Sequence, residues 1–384
     1  MTERQTLGVG MVGYAFMGGV HSQGWRTVGR VFDLPLTPSM AALCGRSREA
    51  ATAAASRLGW ASVETDWKEL LRRDDIQLVD ICTPGDSHHE IAIAALEAGK
   101  HVLCEKPLAN SVAEASAMAE AAERARQRGV RSMVGFNYRC VPALRLARRL
   151  VAEGRIGTVR HVRAQYLQDF LADPQVPMMW RLDRKRAGSG ALGDIGAHIV
   201  DLTQFVTGEH ISGVSGLTET FVRQRPLAEG SEELGSVTVD DAAVFLGRLT
   251  GGGLATFEAT RFAAGRKNAM RLEINGTAGS LAFDFEAMNE LYFHDHTLEP
   301  DTAGFRRIHA TEPTHPYMDA WWPAGHGLGY DHTFVHEMRD VVTAIGSGVD
   351  PSPSFADGLR VQRVLEAVEH SAADRSRWTE VSDS

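Results

Sequence analysis

Asp194 and His198 stand four residues apart in GALGDIGAHIVDLTQF, residues 190–205. On a helix that spacing places one side chain above the other, and a carboxylate beside an imidazole is a pair able to orient and move a proton. Leu192, Ile195, Ile199, Leu202 and Phe205 recur at the three- and four-residue spacing of a buried stripe. The pattern therefore predicts a helix with an apolar back and this pair on its polar face. Such a pair is either a satisfied structural couple or a proton-transfer device facing a cavity. Lys106 is the other candidate, in HVLCEKPLAN just past the apolar run 101–104. Pro107 pushes the Lys106 backbone out of the helical region, which aims the ammonium at a fixed point.

A third stretch supplies what a redox reaction would need. GMVGYAFMGGVHSQGW follows a short apolar run over 7–13 and opens a helix, so Gly13-x-Ala15-x-x-Gly18 is a GxGxxG pattern with Ala in the middle. Gly13 makes the tight turn, a small residue lets the backbone approach a pyrophosphate, and Gly18 lets helix and strand pack closely. The helix start then offers free N–H groups to phosphate. Phe16 and Met17 complete this loop as cofactor candidates. The second strand ends in Cys44-Gly45-Arg46-Ser47. An acidic residue that would hold the 2′-hydroxyl of NAD is missing there, and Arg46 with Ser47 suits a 2′-phosphate. The reading leans to NADP and leaves NAD open. Thr83, Pro84 and His88 follow the run 76–82, and Glu105 and Lys106 end the next one, at the sheet edge where open α/β folds bind ligands. Ser87 with Glu90 reads as a capping box at the helix that starts there.

The elements that must carry these residues alternate through the first third. Apolar runs at 7–13, 40–45, 76–82, 101–104 and 130–135 are separated by helical stretches at 16–28, 48–58, 87–98 and 112–128. That alternation predicts a parallel sheet covered on both faces, a dinucleotide-binding domain over 1–135. Beyond it come a helix at 143–153, an alternating run at 159–169 and the Asp194–His198 helix. Strand-like runs follow at 214–223, 237–249, 253–262, 270–275 and 280–285, joined by Gly-rich turns. These predict an α+β domain over 136–384 with a large open, mostly antiparallel sheet. Residues 294–330 read as an irregular segment, and helices near 331–346 and 355–373 close the chain.

The bulk composition narrows the partners. With 384 residues, 43% hydrophobic, 23% charged and a net charge of −9, the chain is globular and lacks the basic face of a nucleic-acid binder. No apolar run reaches membrane-span length, and the first residues carry no signal-peptide pattern. Cys44, Cys82, Cys104 and Cys140 are isolated, with neither CxxC nor zinc spacing. His332, His336 and Glu337 give HxxxHE, which is not HExxH, so no metal site is expected. The expectation is a cytoplasmic protein with no nucleic-acid or membrane partner.

The GxGxxG-type loop, CEKPLA at 104–109, VGFNYR at 134–139, WRLDRKRAGSGALGDIGAH at 180–198 and WWPAGHGLGYDHTFVHE at 321–337 occur in order along nearly the whole chain. Together they resemble the glucose-fructose oxidoreductase/inositol dehydrogenase family of sugar oxidoreductases, nearest its inositol/levoglucosan dehydrogenase-like branch. The resemblance implies a site between a Rossmann domain and a sheet domain, with the sheet serving oligomerisation as a homodimer or homotetramer. By motif, Lys106 matches the family's catalytic lysine, and Asp194 and His198 match its Asp-x-x-x-His pair. The expected reaction is NAD(P)-dependent oxidation of a secondary hydroxyl of a cyclic polyol or pyranose. His198 would act as base, Asp194 would orient it, and Lys106 would bond the reacting oxygen. Tyr138, Arg139, Gln165, Tyr166, Asp169, Trp180, Arg181, Trp322 and His332, with Asp194 and His198, are the substrate candidates. A ketosugar reductase and a non-catalytic dinucleotide sensor are the alternatives.

Overall fold

The computed structural model describes residues 4–382. The chain divides into two compact units. One runs up to Cys140 and takes in Gly329–Leu359; the other comprises Val141–Leu328 and continues from Arg360.

The first unit is built on a parallel sheet of six strands: β1 (Thr6–Val12), β2 (Thr37–Cys44), β3 (Val63–Glu64), β4 (Leu78–Ile81), β5 (His101–Glu105) and β6 (Ser132–Gly135). Their order is β3-β2-β1-β4-β5-β6. Strands such as β4 are buried along their whole length, as continuous apolar runs between two helical layers must be. The crossovers are α1 (Phe16–Val31), α2 (Arg48–Leu58), α3 (Trp67–Leu71), α4 (His88–Glu97) and α5 (Val112–Arg126). The strand order reverses between β1 and β4, which opens a crevice at their carboxyl ends.

The second unit starts with α6 (Pro142–Ala152), β7 (Val159–Leu167), the short α7 (Arg184–Ala187) and α8 (Ala197–Thr207). Then come β8 (Ile211–Glu219), a small ribbon of β9 (Gln224–Pro226) and β10 (Leu234–Ser236), and β11 (Ala242–Leu249). The run β12 (Leu254–Thr260), β13 (Ala269–Gly276), β14 (Gly279–Asp284), β15 (Glu290–Asp295) and β16 (Arg306–His309) follows. Helix α9 (Tyr330–Ser347) belongs to the first unit, and α10 (Phe355–Ala373) and β17 (Thr379–Glu380) end the chain. The large sheet has the order β16-β15-β14-β13-β7-β12-β11-β8-β17. Only β12 and β7 run parallel within it; every other neighbour is antiparallel. Strand β11 alternates buried and exposed residues, so one face is packed and one is open. Among the described residues no helix is long and apolar enough to cross a membrane.

Three local readings are corrected. Segment 294–330 is not wholly irregular, because β15 reaches Asp295 and β16 lies inside it. Arg306, Arg307 and His309 give β16 a polar edge-strand composition without alternation to read. The Ser87 capping box does not form. A short 3₁₀ turn, Gly85–Ser87, precedes α4, and the Ser87 hydroxyl turns back to Thr83 Oγ1 at 2.7 Å and the Pro84 carbonyl at 2.9 Å. The Asp194 segment does not enter its helix as α-helix: Leu192–Gly196 is a π-helical turn, and α8 begins only at Ala197.

Candidate active site

In the first unit, the loop after β1 is shaped by two glycines. Gly13 has φ +97°, and a Cβ there would lie 2.8 Å from the Cys82 carbonyl oxygen. A Cβ on Gly18 would lie 2.3 Å from the Gly13 carbonyl oxygen, so α1 packs on the loop as only Gly allows. Ala15 caps α1 from an extended conformation with no side-chain cap bond, and Ala15 and Phe16 are exposed, with Met17 partly so. The first N–H groups of α1 thus open beside a surface that also includes Tyr14 and Gln23. The Tyr14 ring lies on Gly45, where a Cβ would meet it at 1.9 Å. Arg46 is exposed, and Ser47 caps α2 by accepting the Ala50 N–H at 3.3 Å. This is a cradle that side chains would fill, and it fits a dinucleotide's pyrophosphate.

The next two strand ends are tied together. His88 is buried and its ring bridges the Thr83 carbonyl at 2.9 Å and the Pro107 carbonyl at 3.0 Å, so it braces both loops. Glu105 is also buried: one oxygen meets His21 Nε2 at 2.9 Å and the other accepts the Lys106 N–H at 3.1 Å. Lys106 is half-buried, and the Lys106–Pro107 bond is cis.

In the second unit, the start of the Asp194 helix is held by a residue that the sequence reading missed. Asp240 Oδ1 accepts the Gly190 N–H at 2.7 Å, Oδ2 accepts the Leu192 N–H at 2.8 Å, and its carbonyl accepts the Ala191 N–H at 3.0 Å. Gly190 is required, since a Cβ would sit 1.7 Å from the Asp240 carbonyl oxygen. Burial pushes the Asp240 carboxyl above its ordinary range, with the Leu192 N–H, Arg261 and the Gly190 N–H opposing that shift. Arg261, wholly buried, donates to the Asp240 carbonyl at 2.9 Å and reaches within 3.7 Å of Asp194 Oδ2. Arg181 Nε stands 3.7 Å from the same oxygen, and its guanidinium lies over the Trp180 ring at 4.5 Å. His198 is buried with its ring 5.8 Å from that of Tyr166, whose hydroxyl donates to Asn268 at 2.6 Å. The structure thus brings Tyr166, Trp180, Arg181, Asp194 and His198 into one neighbourhood. A π-helical turn is a frequent mark of such sites.

Within the second unit, Gln165 and Asp169 have other partners. Gln165 is next to Tyr166 on β7 and so faces the opposite side of the sheet, where it donates to Glu258 at 2.8 Å. Asp169 bonds Lys267 at 2.7 Å and the Gly265 N–H at 3.0 Å, which hold its carboxyl below the usual range and fix that loop. Trp322 is 54% exposed. Tyr138, Arg139 and His332 belong to the first unit. Tyr138 neighbours Tyr330, Arg139 reaches Ser352 at 3.1 Å, and His332 accepts the Gly329 N–H at 3.0 Å. Of the HxxxHE residues, His336 bonds the Cys140 carbonyl at 2.8 Å, and Glu337 approaches His21. One potential ligand group among the described residues is His21, Asp80 and Cys82. Both His21 nitrogens already face carboxylates, and burial pushes the Cys82 thiol far up, so the group is a hydrogen-bonded core.

Comparison with known proteins fits this division of labour. Residues 7–136 match the family model described as an oxidoreductase family with an NAD-binding Rossmann fold, and residues 144–282 match the GFO/IDH/MocA C-terminal domain. Levoglucosan dehydrogenase of Pseudarthrobacter phenanthrenivorans is 40% identical over 390 residues, covering 98% of each chain. The crystal structure of an oxidoreductase domain protein from Kribbella flavida superposes with a TM-score of 0.96 at 67% identity, covering 99% of this chain and 100% of that one. A levoglucosan dehydrogenase structure in complex with NADH and levoglucosan gives 0.94 at 40% identity, covering 99% and 100%.

Proposed function

The chain belongs to the GFO/IDH/MocA family of oxidoreductases, and on that premise we propose that it oxidises a secondary hydroxyl of a pyranose or cyclic polyol of the levoglucosan or inositol type. The observation that carries this reading is the joint presence of the Gly13–Gly18 cradle, Lys106 at the end of β5, and the Asp194–His198 turn locked by Asp240. Gly13, Ala15 and Gly18 with the start of α1 would hold the pyrophosphate, and Thr83, Pro84 and Lys106 would flank the nicotinamide end. When bound, the nicotinamide accepts a hydride from carbon.

Everything else falls to the chain's own side chains. A hydroxyl that loses hydride from its carbon must lose its proton too, and an imidazole with an ordinary value near 6.5 suits that transfer at neutral pH. His198 takes the proton. Asp194, flanked by Arg181 and Arg261, fixes the polar side of the turn that carries the imidazole. Lys106 donates to the reacting oxygen and stabilises its developing negative charge. Trp180 and Tyr166 offer the ring faces and hydroxyl that a sugar uses. NAD is the cofactor of this reading. Exposed Arg46, in a loop without an acidic residue for the 2′-hydroxyl, favours NADP as a second.

The test is turnover of levoglucosan, inositols and simple pyranoses with NAD⁺ and NADP⁺, followed by nicotinamide absorbance. Lys106→Ala and His198→Ala are expected to lower kcat by about a hundredfold or more while dinucleotide affinity holds. Retained turnover in either variant refutes the mechanism. Tight dinucleotide binding without turnover of any sugar favours a sensor. Arg46→Ala is expected to weaken NADP⁺ selectively; an unchanged NADP/NAD ratio removes Arg46 from cofactor choice.

A further inference from the structure

Behind Lys106 lies a buried cluster that the proposed chemistry does not use. His21 of α1 is wholly buried, with Nδ1 3.0 Å from both oxygens of Asp80 and Nε2 2.9 Å from Glu105 Oε1. Trp25 Nε1 donates to Asp80 at 2.8 Å. Glu105 Oε2 accepts the Lys106 N–H at 3.1 Å, so one carboxylate joins the buried ring to the backbone of the lysine. Gly135 of β6 makes room for it, since a Cβ there would stand 2.8 Å from Glu105 Oε1. Glu337 of α9 is also wholly buried, 3.9 Å from His21 Nε2, with no hydrogen-bond partner for either oxygen among the described residues.

The arrangement fixes the direction of each bond. A ring nitrogen meets a carboxylate by donating to it, and two carboxylates on two nitrogens call for an imidazolium. Burial, the largest single effect, opposes that charge, Asp80 and Cys82 together outweigh it, and the imidazole stays protonated well above its usual range. Burial holds the nearby groups uncharged: the Glu337 carboxyl, the Tyr330 phenol and the Cys82 and Cys104 thiols all lie well above their ordinary values. The imidazolium is therefore a fixed donor, and it turns the Glu105 side chain so that its second oxygen meets Lys106.

We propose that Glu105, oriented by His21, is a positioning residue that sets the backbone of Lys106 at the end of β5 and thereby aims its ammonium. The inference rests on the reading of Lys106 as the group that meets the reacting oxygen. Glu105 itself acts through Lys106.

The experiment uses the full-length enzyme with its sugar and dinucleotide. Glu105→Ala removes the acceptor, and kcat is expected to fall about ten- to a hundredfold while dinucleotide Kd stays within about twofold. Glu105→Gln restores an acceptor for Lys106, and its amide can donate to a neutral His21 that still donates to Asp80. It is expected to recover kcat to within about threefold of wild type. Gly135→Ala leaves every charge in place and presses the carboxylate off its seat, so it also lowers kcat with dinucleotide affinity intact. It carries the test if Glu105→Ala does not fold. Wild-type kcat in a folded Glu105→Ala or in Gly135→Ala overturns the inference, as does a Gln variant as slow as the Ala variant. Failure of the underlying reading looks different: wild type turns over no sugar, or Lys106→Ala keeps turnover.

Discussion

Asp240→Asn is the sharpest perturbation of the second unit's site, because it changes one oxygen and keeps the volume. The native carboxylate accepts the Gly190 N–H at 2.7 Å and the Leu192 N–H at 2.8 Å from a position 7% exposed. An amide accepts one of them and turns its NH₂ toward the other. Losing a hydrogen bond to a charged acceptor costs about 1.5–3 kcal/mol, and the donor left unpaired costs about 1–3 kcal/mol more. Part of that is returned, since a neutral amide no longer pays for the burial that pushes the Asp240 carboxyl upward. The net loss is about 2–3 kcal/mol. It falls on the turn that carries Asp194 and His198, so kcat is expected to drop about ten- to a hundredfold. Dinucleotide affinity is expected to hold, because the bonds Asp240 makes go to Gly190, Ala191, Leu192 and Arg261. Urea unfolding and steady-state kinetics at a temperature where the variant is fully folded read the two effects separately. A variant with the wild-type urea midpoint and wild-type kcat refutes the argument that Asp240 holds the site.

Three further outcomes are expected. Gly18→Ala puts a Cβ 2.3 Å from a backbone oxygen that has no side-chain freedom to yield; it should cost about 1–3 kcal/mol and weaken dinucleotide binding, read by calorimetry. His101 accepts the Arg131 N–H at 2.9 Å, and burial, then Arg131, lower its value to about 4. The stability it contributes is present above about pH 6.5 and lost as pH falls toward 4; about 2–3 kcal/mol should vanish across that window, and His101→Gln should flatten that slope in urea titrations. Leu217, Val244, Leu246 and Leu254 are 50–62% exposed on the large sheet. The chain is expected to self-associate through this face, and Leu246→Asp to shift sedimentation toward monomer.

How far the sequence could be read depended on the distance over which each feature is encoded. Gly13, Gly18, Lys106 and the Asp194–His198 spacing lie within single stretches of strand, turn or helix, and local sterics announces them. The stripe Leu192–Phe205 was legible for the same reason, but the π-helical turn was not. That turn depends on Asp240, nearly fifty residues on, whose two bonds to Gly190 and Leu192 no periodicity contains. Gln165 and Tyr166 both looked like sugar ligands as residue types. Strand alternation parts them, and it becomes decisive only once α8 is known to cover the Tyr166 face. At Ser87 the local signal itself misled, because the hydroxyl had a nearer partner in Thr83 than the N–H it was expected to cap.

The least legible part is the support beneath Lys106. His21 reads as one residue of a helix behind a glycine loop, Asp80 as a lone acid in an apolar strand, and Glu337 as the end of an HxxxHE string. Only the fold, by bringing α1, β4, β5 and α9 together, turns them into one network with an imidazolium at its centre. Burying so many ionisable groups is costly, and an apolar core of the same volume is often as stable or more so. Their cost therefore calls for a reason other than stability. The network touches the proposed chemistry at the 3.1 Å bond from the Lys106 N–H to Glu105. Precise placement of the group that meets the reacting oxygen is a sufficient reason, since a misplacement of about 1 Å costs on the order of a hundredfold in rate.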